Sequence, residues 1–252
     1  MISTNSPFDI LVTRPTPYGE ALTTELEKLG FHPKHLPLIT FKEDDRFSVQ
    51  QKASILAQSD VWIFISQQAV HYCFKQLDIT KCEGITDKTL IAVGKATQQS
   101  LQRLGLKSLI PEPSNSEGIL SLLDKLSIKA DTSIALIRGN KGRELLQHHL
   151  NINYQLHELP LYKRQAIAAQ IPPLTSPTAL VITSAQLLEL ATDLLNYAKL
   201  PLESFSIISA SRRITHIAKQ MGYTSCYTAN SAANIDLIDT CLAWQSDNNR
   251  EK

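Results

Sequence analysis

ILVTRP at residues 10–15 returns as IALIRGN at residues 134–140, so that Arg14 and Arg138 each follow a similar apolar run. Working outward from that pair, LPLITF at 36–41 matches LPLYKR at 159–164, and WIFIS at 62–66 matches LVITS at 180–184. AVGKATQQSLQRLG at 92–105 then matches ISASRRITHIAKQMG at 208–222. The spacing between partners drifts smoothly, from 124 at Arg14/Arg138 to 118 at Ser66/Ser184 and 117 at Gly105/Gly222, which an old duplication explains economically. A period this long describes two similar domains, because solenoid repeats run roughly 20 to 50 residues. Two such domains fit within 252 residues, and the cleft they create is the expected place for a ligand.

Composition narrows the function. Hydrophobic residues make up 43% of the chain and charged residues 19%, the balance of a soluble globular protein. With 25 Lys+Arg against 24 Asp+Glu the net charge is +1, which gives no global field for nucleic acid or a membrane surface. An anionic ligand must therefore be held by local groups. Cys73, Cys82, Cys226 and Cys241 form no C-x-x-C pair and are read as free thiols in a reducing cytosol. The start, MISTNSPFDILV, has no export signature, and no run approaches the ~18 apolar residues of a membrane span. The expected location is the cytoplasm, and the expected state is a monomer.

Short apolar runs alternate with helical periodicity, the pattern of parallel sheets covered by helices. Strands are expected at residues 9–13, 61–65, 90–93, 134–137, 179–183 and 205–209. Ala21, Leu22, Leu26 and Leu29 lie at helical spacing, with Gly30 placed to end that helix. Ser66 and Ser184 stand where helix caps belong, and the pairs Asn115-Ser116 and Asn230-Ser231 precede two further helices. The proline-bearing stretches 33–41 and 156–166 suit exposed connectors. If both cross between domains, the first unit joins the last ones. Tandem domains would instead split near Lys129, and the residue pattern leaves both arrangements open.

Familiar catalytic signatures are missing. VGKAT resembles the end of a phosphate-binding loop, but Thr89 occupies the required glycine position and Ala96 follows Lys95. No G-x-G-x-x-G follows a strand, no G-x-S-x-G surrounds Ser66 or Ser184, and the seven histidines lack metal-ligand spacing. What remains is a row of helix starts near Ser66, Gly94, Ser116, Ser184, Ser211 and Ser231. Each offers unpaired N–H groups and about half a positive charge at the carboxyl ends of strands. Arg14, Arg138, Arg143, Arg212 and Arg213 could add guanidinium forks that match carboxylates. The pattern points to a ligand with many carboxylates or phosphates.

In its order of motifs the chain resembles the uroporphyrinogen-III synthase family. The resemblance runs through ILVTRP with Gly19-Glu20, LPLITF, FISQQAV, AVGKAT, SEGIL, IRGNKGREL, LYKRQAI, VITS and SRRI. It implies two flavodoxin-like α/β domains joined by two extended strands, with the second inserted in the first. The boundaries would be 1–36 plus 166–252 for one domain and 43–156 for the other, with connectors at 37–42 and 157–165.

The resemblance also implies a cofactor-free, metal-free enzyme acting on hydroxymethylbilane, a linear tetrapyrrole carrying acetate and propionate arms. The ring closes with loss of water and inversion of the last pyrrole through a spiro intermediate, a task of orientation more than of acid–base chemistry. Tyr162 matches the family's tyrosine and would protonate the leaving hydroxyl, since a phenol keeps its proton at neutral pH. Thr97 matches a family threonine near the cleft. Ser66 and Ser184 carry over as helix starts acting through backbone N–H groups, and Arg14, Gln67, Lys95, Ser116, Arg138, Gly139, Ser211 and Arg213 complete the expected substrate contacts.

The chain departs from the family at SRRI, where relatives often have threonine, and at Lys141, which replaces a glycine in some of them. It departs again at Asn153, where relatives often have a turn glycine after the helix, a left-handed conformation that asparagine tolerates. The alternative reading is a two-lobed protein that binds a polyanionic small molecule without chemistry.

Overall fold

A computed structural model describes residues 8–75, 77, 82, 84–141, 144–174 and 177–250. In chain order these form β1 (Asp9–Val12), α1 (Tyr18–Lys28), β2 (His32–His35), β3 (Ile39–Glu43), α2 (Val49–Gln58), β4 (Val61–Phe64) and α3 (Gln67–Phe74). Next come β5 (Thr89–Ala92), α4 (Lys95–Gln102), α5 (Ser116–Lys125), β6 (Ser133–Gly139), α6 (Leu145–Asn153) and β7 (Gln155–Ala166). The chain continues with β8 (Thr178–Ile182), α7 (Ala185–Tyr197), β9 (Phe205–Ser209), α8 (Arg212–Gln220), β10 (Ser225–Thr228) and α9 (Asn234–Arg250). All six strands expected from the sequence are present, with ends that agree to within two residues. The chain divides into two compact units, one built from Met1–Thr40 and Gln165–Lys252, the other from Phe41–Arg164.

The first unit is a parallel sheet in the order β10-β9-β8-β1-β2. Taken in the unit's own chain order this is 2-1-3-4-5 from the β2 edge, the doubly wound order of flavodoxin-like folds. Strands buried on both faces read as continuous apolar runs, and Ile10, Leu11 and Val12 are fully inaccessible. The core also takes in Leu180, Val181, Ile207 and Trp244 of α9, whose ring meets Phe8 edge-on at 5.3 Å. Helix α1 differs from its expected stripe: Gly19, Leu22 and Leu26 are buried, while Ala21 is exposed and Leu29 is 47% exposed. The reason is close approach. A Cβ at Gly19 would lie 2.2 Å from His35 Nε2, so the helix packs its glycine face on β2. Gly30, at φ +82°, ends the helix.

The second unit has the sheet order β3-β7-β6-β4-β5, with the β4, β5, β6 and β7 pairings parallel. Alternation along β4 and β6 divides its core in two. Trp62, Phe64, Ala135 and Ile137 face one layer, and Val61, Ile63, Ile134 and Leu136 face the other. The stretch 156–166, expected as an exposed connector, is instead mostly the inner strand β7, with Leu159, Leu161 and Tyr162 buried. Its Pro160 stands beside a register shift, where Arg138 pairs with Pro160 but Gly139 pairs with Tyr162. A proline inside a sheet is tolerated at such a bulge. The stretch 33–41, also expected as a connector, contributes the partly exposed edge strand β2 and the start of β3.

Asn153 is the last residue of α6 and does not adopt a left-handed conformation; its amide donates to the His149 carbonyl at 2.8 Å. The left-handed non-glycine positions among the described residues are Ser127 and Lys199, just after α5 and α7. Cys73 and Cys241 are buried, and burial pushes the Cys241 thiol up to about 12. No helix among the described residues is long and apolar enough to cross a membrane.

Candidate functional site

Helices α3 and α4 start at the carboxyl ends of β4 and β5, and α7 and α8 start likewise after β8 and β9. Ser66, Ser184 and Ser211 cap three of them, accepting from the N–H groups of Ala69 (3.0 Å), Leu187 (3.2 Å) and Ile214 (3.4 Å). Gly94 begins the fourth, and Asn115 caps α5 by accepting from Gly118 N–H at 2.8 Å. Acidic residues normally favour first turns, yet α3, α4, α7 and α8 have none. Instead Lys95 opens α4 and Arg212 and Arg213 open α8, all three exposed. Placing cations at the positive end of a helix is unfavourable unless an anion is to be received there. The start expected near Ser231 is different. Helix α9 begins at Asn234, and the Ser231 hydroxyl is engaged by Asp236 and by Ala233 N–H.

The densest constellation lies in the second unit. Tyr162 is 4% exposed, and its Oη is 2.8 Å from Ser66 Oγ. Its ring stacks on Tyr72 at 5.6 Å and 21°, and meets Phe41 edge-on at 5.6 Å. The bulge in β7 explains this orientation. Simple alternation would set Tyr162 on the face opposite Leu161, but the extra residue turns both toward the layer covered by α3. Asn140 N–H donates to the Tyr162 carbonyl at 2.8 Å. Tyr72 is committed elsewhere, donating its hydroxyl to the Phe41 carbonyl at 2.9 Å, and burial pushes its phenol up, helped by the charge of Glu43.

Arg138 sits at the same sheet edge, 5% exposed, where it lines two hollows of this unit. One, of about 530 Å³, is bordered by Arg46, Gly139, Lys141, Glu144 and Glu158. The other, of about 350 Å³, is bordered by Ile65, Val93, Asn115 and Ser116. Arg138 Nη1 donates to Gln147 Oε1 at 2.9 Å and lies 3.6 Å from Glu158, while Gln147 in turn donates to Glu158 at 2.6 Å. Arg46 forks onto Asp44 at 2.8 and 2.9 Å and holds that carboxyl below its ordinary range.

The structure thus brings Tyr162, Ser66, Gly139, Arg138 and Ser116 to one sheet edge. Gln67 is half-buried beside Ser66, and Thr97 is 4% exposed within the first turn of α4, lining neither hollow. Arg14, the counterpart of Arg138, belongs to the first unit. Its Nη1 donates to Asn234 at 2.8 Å, its guanidinium lies 5.7 Å over Tyr18, and burial lowers its pKa. Asn234 also donates to Glu25, so this asparagine ties α9 to α1 while Arg14 braces it. Arg143 lies outside the described residues. Sequence reasoning missed Tyr72, Gln147 and Glu158. Tyr72 had one available signal, its place on the helix that Ser66 caps, but nothing local marks the other two.

Fold and site together define a class: a duplicated, doubly wound α/β protein whose helix starts and buried arginine suit an anionic ligand. The profile described as Uroporphyrinogen-III synthase HemD matches residues 20–239. The chain belongs to the uroporphyrinogen-III synthase family. The Escherichia coli (strain K12) uroporphyrinogen-III synthase is 28% identical over 240 residues, covering 91% of this chain and 98% of that one. The Proteus mirabilis synthase is 33% identical over 139 residues, 54% of this chain and 70% of its own. A Thermus thermophilus uroporphyrinogen III synthase crystal structure superposes with a TM-score of 0.61 at 16% identity, covering 96% and 99% of the two chains. A Helicobacter pylori 26695 synthetase structure gives 0.60 at 13%, covering 94% and 99%. At such identities the structural likeness speaks for the fold. The family is one of hydro-lyases acting on hydroxymethylbilane.

Proposed function

We propose that this chain cyclises hydroxymethylbilane to uroporphyrinogen III, with loss of water and inversion of the last pyrrole ring. The observation that carries the reading is the Tyr162–Ser66 pair at a sheet edge bordered by the buried Arg138, in a member of this family. Tyr162 is the acid that protonates the terminal hydroxyl. The C–O bond then breaks, water departs with the electron pair, and a pyrrole carbon attacks the cation that remains. Because a pyrrole is electron-rich, the enzyme's work is to hold one geometry of attack, which is where oriented intramolecular reactions gain most.

The helix starts headed by Ser66, Gly94, Ser184 and Ser211, with Lys95, Arg213 and Arg138, receive the carboxylate arms. Gln67, Thr97, Ser116, Gly139 and Arg14 are supporting positions in this reading. Family membership does not favour the alternative of a binding protein without chemistry. The protein works as a cytoplasmic monomer with no nucleic-acid or membrane partner, and light scattering on the purified chain checks the monomeric state.

The test is an absorbance assay with freshly made hydroxymethylbilane, followed by isomer analysis of the oxidised product. An excess of isomer III over spontaneous isomer I is expected. Isomer I alone overturns the reading, and Tyr162→Phe with unchanged turnover removes Tyr162 from it.

A further inference from the structure

The Tyr162 phenol is held more tightly than packing requires. Tyr72 stacks on its ring, Phe41 meets it edge-on, and Gly139 lies against it from β6. A Cβ at Gly139 would come 2.8 Å from Tyr162 Cε2 and 2.9 Å from Cζ, closer than such contacts occur, and 3.2 Å from Oη, a tight contact. The absent side chain is therefore what allows the ring to stand where it does, and the Asn140 N–H bond fixes the backbone behind it. The hydroxyl is the remaining freedom, and it faces Ser66 Oγ at 2.8 Å.

Ser66 is itself constrained. A serine hydroxyl has one proton and two lone pairs, and one lone pair already accepts Ala69 N–H at 3.0 Å. Capping alone is served equally by Ser, Asp or Asn and nearly as well by Thr, and ring packing alone would be served by phenylalanine. Neither role needs two hydroxyls in contact. Together they provide something else: a proton donor beside an oxygen about to become an anion. A hydrogen bond to an ionised partner is roughly twice as strong as a neutral one.

We propose that Ser66 and Gly139 are the positioning residues of the Tyr162 acid, Ser66 donating to the phenolic oxygen as that oxygen gives up its proton and Gly139 setting the place of the ring. The inference rests on the reading of Tyr162 given above. The Tyr162 proton passes to the terminal hydroxyl oxygen of the substrate, and the C–O bond breaks with its electron pair leaving in water. The phenolate accepts from Ser66 O–H until ring closure releases one pyrrole proton, which returns to Tyr162. No other reactant is required.

Steady-state cyclisation of hydroxymethylbilane by the full chain, with melting temperatures alongside, tests this. Ser66→Ala is expected to lower kcat roughly 10- to 100-fold, the worth of one hydrogen bond to a charged group, with KM within about twofold. Ser66→Thr restores most of it. Ser66→Asp keeps the cap and the melting temperature but not kcat, because an ionised carboxylate has no proton to donate. Gly139→Ala lowers kcat and alters the near-ultraviolet tyrosine dichroism. In a Tyr162→Phe background Ser66→Ala adds nothing further, since residues acting as one unit are not additive.

Full kcat in Ser66→Asp or Ser66→Ala, or independent losses in the double variant, overturns the proposal while leaving Tyr162 as acid. Unchanged turnover in Tyr162→Phe instead sinks the reading beneath it.

Discussion

The two units share four strands and differ at their edges. Matched by the internal repeat, β2-β1-β8-β9 of the first unit corresponds to β7-β6-β4-β5 of the second, so each unit takes two strands from each pass of the sequence. The first unit adds β10 beyond β9. At the corresponding place in the second unit the strand is reduced to a single bridge, Leu109 to Ile91, and β3 is added at the opposite edge, beside β7. That addition makes β7 an inner strand and encloses its bulge. The difference teaches why the candidate acid belongs to the second unit: β2, the counterpart of β7, is a partly exposed edge that could not clamp a phenol.

The comparison breaks first at β3, which is pinned by the buried Lys52, 1% exposed, whose Nζ reaches Glu43 Oε1 at 3.0 Å. Glu43→Ala strips that ammonium of this partner and is expected to cost about 3 kcal/mol, whereas Lys52→Met, which removes the charge and keeps the stem, stays within about 1 kcal/mol of the parent. Urea unfolding followed by hydrogen exchange should place the loss in the second unit. Equal losses in both variants would mean that packing, and not the pair, holds β3.

The paired arginines come next. Arg138→Ala should raise KM for hydroxymethylbilane about tenfold or more, equivalent to about 1.4 kcal/mol. Arg14→Ala should change KM far less and lower stability by about 1 kcal/mol through the lost Asn234 bond. A reversed ranking would make Arg14 the ligand contact.

In stability the paired caps come next. Ser66→Ala and Ser184→Ala should each lower stability by about 1 kcal/mol, yet kcat should fall steeply only for Ser66. The smallest effect concerns Asp44, whose pKa Arg46 lowers. A carboxyl with a depressed folded-state pKa contributes stability that is present above its unfolded value and lost as the pH falls through the folded one. The stability gap between the parent and Asp44→Asn should therefore be full at neutral pH and close below the ordinary carboxylate range. A gap that widens in acid would contradict the assignment.

Much of this was readable locally. Strand positions follow from apolar runs, and the caps at Ser66 and Ser184 and the helix start near Ser211 follow from residue type at strand ends, because both depend on interactions within a few residues. Gly30 ended its helix as read, since a left-handed position asks for glycine wherever it falls. Asn153 shows the limit of the same logic: the type permitted the conformation, but the chain did not use it.

What the sequence by itself determined, then, is the alternation of strands and helices, the duplication, and the polarity of the helix starts, all properties of neighbouring residues. Tertiary structure alone decided that β3 would cover β7, that the bulge opposite Gly139 would turn Tyr162 toward α3, and that its hydroxyl would meet a serine 96 residues away. It also decided that Arg138 would line a cavity while its counterpart Arg14 held a helix in place. The physical reason is that these contacts join segments distant along the chain, and a shift of a single residue in strand register reverses the face on which each side chain falls.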